Sequence, residues 1–130
     1  MRIVFKPGDE KRFVRTVRAE DTARFDSGEV HPVYGTFAVA RDAEWACRLF
    51  VLEMLEAGEE GVGTFVSVEH LSPALVGMDV EFVARVESII GNEIICSFEA
   101  RVGERPVARG RQVQRILDIE RFRKKIMQLE

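Results

Sequence analysis

Cysteine is scarce in this sequence. The two present, Cys47 and Cys96, lie among apolar neighbours (EWACRLF and IICSFEA), the setting of buried free thiols rather than of a catalytic thiol or a disulfide. Histidine is as scarce: His31 and His70 alone supply no recognisable metal-ligand spacing, so no metal and no other cofactor is expected. An excess of positive charge is missing too. Lys and Arg number 19 against 22 Asp and Glu, a formal net charge of −3, which argues against a general nucleic-acid binder. No apolar run reaches the length that crosses a bilayer. The opening MRIVFKPGDEKRF has neither a long apolar stretch nor a small-residue cleavage site, so a cytoplasmic protein without membrane contact is the expectation. Repeats, low-complexity tracts and linkers are absent, and residues 1–130 are expected to form one domain. There is no Gly-rich phosphate loop, Gly-x-Ser-x-Gly elbow or metalloprotease motif.

What the sequence does contain is one long apolar helix followed by strands. After a lead-in of about a dozen residues, expected to be loose and with a turn at Pro7–Gly8, RFVRTVRAE has strand-like composition, and FDSGEVHPV reads as irregular, turn-rich chain. A helix is predicted from about Thr36, read as its N-cap, to about Glu56, with Gly58 and Gly61 free for left-handed geometry behind it. On a 3.6-residue wheel, Val39, Ala40, Ala43, Ala46, Cys47, Phe50, Val51 and Met54 form a broad arc, widened by Trp45, Leu49 and Leu52. A flat sheet cannot cover so wide an arc; a sheet that curls round the helix, or a second subunit, can. Four strands follow. Val62, Thr64, Val66, Val68 and His70 share one face by the period of two, as do Val80, Phe82, Ala84 and Val86, and Ile94, Cys96, Phe98 and Ala100. RPVARGRQVQRIL is the fourth, and DIERFRKKIMQLE closes the chain as an amphipathic helix. Strand, long helix and antiparallel meander make an α+β layout in which the sheet encloses the helix.

Three polar residues stand out against this pattern. Glu44 lies four residues before Arg48, which suits an exposed helical ion pair. It is also flanked by Ala40, Cys47 and Val51, and partial loss of water there would make the carboxylate a stronger base, as a general base or nucleophile near neutral pH requires. His70 falls where the inward face of its strand predicts a hydrophobe. Thr36 stands at a helix N-terminus, where free N–H groups favour developing negative charge. The arginines of the last strand, Arg101, Arg105, Arg109, Arg111 and Arg115, read as a solvated face, with a phosphate-docking strip as the alternative.

The stretches EDTARFDSGEVHPVYGT, GTFAVARDAEWAC, GTFVSVEHLSPALVGMDVEF and GNEIICSFEA resemble the hot-dog-fold thioesterases of the fluoroacetyl-CoA thioesterase family. The separations of Thr36, Glu44, Gly63, His70 and Gly77 carry that resemblance, more than any single motif. It implies an antiparallel sheet wrapped around one central helix, and a homodimer or higher homo-oligomer with sites near the subunit interface. The implied reaction is hydrolysis of an acyl-CoA thioester. The family's catalytic Thr, Glu and His fall on Thr36, Glu44 and His70, its glycine beside the substrate carbonyl falls on Gly63, and Val30 and Tyr34 fall among the substrate contacts. Two departures are visible. The phenylalanine gate of the fluoroacetyl-specific enzyme falls on Val30, so that specificity is not expected, and the family's Gly-x-His-x-Arg stretch reads Gly110-Arg111-Gln112-Val113-Gln114. The second departure motivates an alternative, a non-catalytic hot-dog dimer that binds acyl-CoA or another small ligand. An acyl-CoA hydratase is weaker still, because its Asp/His pair about a turn apart is missing.

Overall fold

Clean alternation builds the centre of the sheet. A computed structural model describes residues 1–129, and in it Asp79–Ile90 forms β6 and Glu93–Val102 forms β7. Val80, Phe82, Ala84 and Val86 of β6 are buried, as are Ile94, Cys96, Phe98 and Ala100 of β7. The turn between them holds Gly91 at a positive φ of 59°, a conformation glycine adopts without steric penalty.

The remaining strands extend this pair on both sides. Glu10–Thr16 (β1) pairs with β6, and Arg105–Asp118 (β8) pairs with β7. On its other side β8 pairs first with Glu59–Val66 (β4) and further along with Glu69–His70 (β5), all antiparallel. The order is β1-β6-β7-β8-β4, with β5 continuing the β4 edge along β8. Thr36–Met54 (α1) packs against β1, β6, β7, β8 and β4, so the sheet wraps the helix as the width of its apolar arc requires. Phe82 sits among Phe13, Tyr34 and Phe98, with ring centroids 6.2–6.5 Å away. Trp45 and Leu52, at the far side of the arc, remain 41% and 44% exposed. The closing helix, Ile119–Met127 (α2), is capped by Asp118, whose Oδ1 accepts from the Arg121 N–H at 2.9 Å.

Four local expectations are corrected. The lead-in is tied down: Arg2 N donates to the Met54 carbonyl at 2.8 Å, and Phe5 meets Phe50 edge-on with ring centroids 5.0 Å apart. FDSGEVHPV is part of a hairpin, Thr22–Phe25 (β2) with Gly28–Tyr34 (β3), because Gly28 at φ 106° closes a tight turn. The N-cap of α1 is Gly35, without a side-chain cap, so Thr36 is the first helical residue and its hydroxyl is free for another partner. The shared inward face from Val62 to His70 does not persist. A bulge between Gly63 and Phe65 shifts the register, and a one-residue shift exchanges the faces of a strand. Phe65 and Val66 are accordingly exposed.

Candidate active site

The hydroxyl left free at the start of α1 meets an imidazole. Thr36 Oγ1 lies 3.1 Å from His70 Nδ1. Two features hold His70: β5 pairs it with Ala108 of β8, and Leu71 N donates to the Val107 carbonyl at 2.7 Å. Its other nitrogen, Nε2, is buried and finds no hydrogen-bond partner among the described residues. Burial lowers the pKa of the ring from its ordinary value, with an opposing contribution from the Ser72 backbone, so the imidazole is neutral near pH 7. A neutral ring with one nitrogen on a hydroxyl and the other vacant can accept or relay a proton. The first N–H groups of α1 beside it have no intrahelical acceptor.

Glu44 is placed differently from either reading of it. The expected pair with Arg48 does not form; the Arg48 guanidinium goes to Glu60 Oε1 at 2.6 Å and to the Gly61 carbonyl at 3.1 Å. Glu44 Oε1 instead accepts from Gln112 Nε2 of β8 at 3.1 Å. The carboxylate lies against Gly63 of β4, where an added Cβ would come within 2.7 Å of Cδ and closer still to Oε1. The glycine is therefore what makes room for it. The desolvation expected from Ala40, Cys47 and Val51 is also missing: Glu44 is exposed in the single chain. No hydrogen bond joins Glu44 to His70 among the described residues, and Thr36 and Glu44 stand about 12 Å apart along the helix by ideal geometry. Two separate clusters thus form, Thr36–His70 and Glu44–Gly63–Gln112.

Comparison with known proteins bears on this arrangement. The model of the fluoroacetyl-CoA-specific thioesterase family matches residues 17–120. The chain belongs to the fluoroacetyl-CoA-specific thioesterase family. A fluoroacetyl-CoA thioesterase of Streptantibioticus cattleyicolor is 26% identical over 114 residues, which are 88% of this chain and 82% of that one. Among solved structures, a thioesterase-superfamily member from Thermus thermophilus is 38% identical, covering 95% of this chain and 92% of its own, with a TM-score of 0.91. A hot-dog-like protein from Thermanaerovibrio acidaminovorans is 27% identical over the same shares, with a TM-score of 0.87. The fold is the hot-dog fold of that family, and the chain is a thioester hydrolase by membership.

Of the other residues matched to the family pattern, Val30 is half exposed on β3. Tyr34 is not available to a substrate. It is fully buried, and its hydroxyl donates to Asp42 Oδ2 at 2.5 Å; burial and that bond push its pKa up. This corrects its expected role and exposes a cluster that sequence reasoning missed. Asp42 and Asp21 are buried, and Arg15, Arg18 and Arg41 converge on them. The signal was present, because Asp42 falls inside the apolar arc of α1 between Ala38 and Ala46. The arginine strip, which begins at the end of β7 and continues on β8, is mostly neutralised: Arg101 pairs with Glu99, Arg109 with Glu69 and Arg115 with Glu93, while Arg105 donates to Ser72 and to the Pro73 carbonyl. A hydrogen bond with Cys96, together with burial, pushes the Cys47 thiol up, away from the thiolate a nucleophile requires. Among the described residues no three His, Cys, Asp or Glu are gathered to hold a metal.

Proposed function

We propose that this protein hydrolyses the thioester of a small acyl-CoA, without preference for the fluorinated acyl group, and that Thr36, Glu44 and His70 carry the reaction. The observation that carries the reading is the Thr36–His70 contact at 3.1 Å with the vacant, buried Nε2 behind it. In hydrolysis the acyl carbon–sulfur bond breaks, a carbon–oxygen bond to water forms, and the thiolate takes a proton. Glu44 activates the water or attacks the acyl carbon itself. His70 relays the proton to the leaving sulfur. The open N–H groups at the start of α1, with Thr36 and the Gly63 backbone, hold the carbonyl oxygen as charge develops on it. Val30 offers a smaller side chain than a phenylalanine gate, which favours acyl groups chosen by size rather than by fluorine. The vacant imidazole nitrogen and family membership favour catalysis over mere binding.

The functional unit in this reading is a homodimer or a higher homo-oligomer. β4 is an edge strand with Phe65 and Val66 exposed, and Trp45 is exposed on α1 next to Glu44. Unpaired edges and contiguous apolar surface are what a second copy covers, and a second copy on this side would remove water from Glu44. Two buried free thiols fit a reducing compartment such as the cytoplasm, and no helix among the described residues is long and apolar enough to cross a membrane.

The test is release of free CoA thiol from a panel of acyl-CoAs. Wild type is expected to turn over short acyl-CoAs, and Glu44→Gln and His70→Ala to lose about 10²–10⁴-fold in kcat/KM. Equal turnover by all three proteins rejects the assignment. On the same panel, Val30→Phe is expected to lower turnover of the bulkier acyl groups first.

A further inference from the structure

Two buried glutamines lie behind Glu44. Gln112 and Gln114 are 0% and 1% exposed on β8, and polar side chains are buried at this depth only when hydrogen-bonded. Gln112 Nε2 donates to Glu44 Oε1 at 3.1 Å and to the Val113 carbonyl at 3.1 Å. Gln114 Nε2 donates to Gln112 Oε1 at 2.9 Å and to the Glu44 main-chain carbonyl at 3.2 Å. The direction of this relay is fixed by its ends. A carboxylate and two main-chain carbonyls can only accept, so each amide must turn its NH₂ toward them, and Gln112 Oε1 is left to accept from Gln114. Both hydrogens of each NH₂ are thereby used. Glu44 Oε2 accepts nothing from the described residues.

The groups around the carboxylate exclude a charged substitute for this relay. From β8 it accepts from the neutral Gln112 amide, while Gln114 reaches the main-chain carbonyl of Glu44, and from β4 Gly63 lies against it. On its own helix, Arg48 is occupied by Glu60 and Gly61. Cys47 stays a neutral thiol, with Cys96 of β7 behind it. Resting on the thioesterase reading, we propose that Gln112, braced by Gln114, is the positioning residue of Glu44. It holds the carboxylate by Oε1 and presents Oε2 to the attacking water or the acyl carbon. A neutral donor fixes the geometry while adding no second titrating group beside the reacting one.

The test uses the acyl-CoA that wild type turns over fastest and records kcat, KM, melting temperature and the pH dependence of kcat/KM. Gln112→Leu removes the donor, and kcat is expected to fall about 10²-fold, the effect of misplacing a reacting group by about 1 Å, with KM little changed. Gln114→Glu deprives Gln112 Oε1 of its donor and turns the amide round, so kcat falls in the same direction although Glu44 is untouched. Gln112→Glu places a second carboxylate against Glu44, and the acid limb of kcat/KM is expected to move up by about one pH unit through like-charge repulsion. That limb shows whether the acid beside position 112 is the reacting group even where a variant is less stable, and the fall of kcat with KM little changed in Gln112→Leu is the readout that a purely structural glutamine would not give. Wild-type kcat in folded Gln112→Leu, or an unmoved limb in Gln112→Glu, overturns the proposal. A wild type that releases no CoA from any acyl-CoA overturns the thioesterase reading, and this inference with it.

Discussion

A methyl group on Gly63 would intrude on the Glu44 carboxylate, coming within 2.7 Å of Cδ. The side chain would have to leave Gln112 to make way. Gly63→Ala is therefore expected to lower kcat by about 10²-fold while the melting temperature changes little, since position 63 is exposed; steady-state kinetics beside a thermal melt checks both halves. His70 supplies a pH prediction. Its pKa is lowered by burial, so the neutral ring persists to lower pH than in an unfolded chain, where it titrates near about 6.5. As pH falls through that window the unfolded chain binds the proton first and stability declines. At this scale the sequence exposed Thr36, Glu44 and His70 as residues at odds with their surroundings. It did not expose what Glu44 touches. The visible partner was Arg48, one turn along, whereas the true one, Gln112, is 68 residues away and becomes a neighbour only when β8 crosses beneath the helix.

The elements around the start of α1 are held by charge. Arg15 of β1, the turn at Ala19–Asp21, Tyr34 at the end of β3 and Arg41 of α1 all meet at Asp42 or Asp21. Removing a buried member leaves its partners uncompensated. Asp42→Ala is expected to lose about 3 kcal/mol, the low end for a broken buried pair because Arg15 and Arg41 keep some contact with water, and a denaturant titration measures it. Burial raises the Asp21 pKa, but Arg18 and Arg41 outweigh it and hold the carboxyl well below the usual range. The stability it contributes is complete above about pH 4 and is lost as pH falls toward its depressed value. Melting temperatures between pH 5 and pH 2 should show that decline, and Arg18→Ala should weaken it. Among the elements, the alternating strands β6 and β7 and the helix α1 were legible, because their burial follows their own periodicity. The β2–β3 hairpin was not. Its turn residues and Pro32 mask a pairing that depends on Gly28 and on the anchored Tyr34.

Across the whole molecule, the proposed dimer would cover the apolar side chains that the sheet leaves exposed, Trp45 and Phe65 among them. Trp45→Glu or Phe65→Asp should convert the proposed dimer to monomers in light scattering and lower turnover together with dimer content; a fully active monomer would contradict the dimer reading. The wrapped-helix architecture was legible from the width of one helical stripe, whereas the separation of the proposed site residues into two clusters was not, because it arises where β4 stops and β5 begins along β8.

That long strand acts as a ruler. It pairs Ala108 with His70, Gln112 with Val66 and Gln114 with Gly63, so one length of backbone sets the spacing between imidazole and carboxylate. A residue deleted between positions 108 and 112 would turn the glutamines outward and the arginines inward, disconnecting both clusters at once. Lineages of this protein should therefore vary in the outward-facing side chains of that stretch while keeping its length constant.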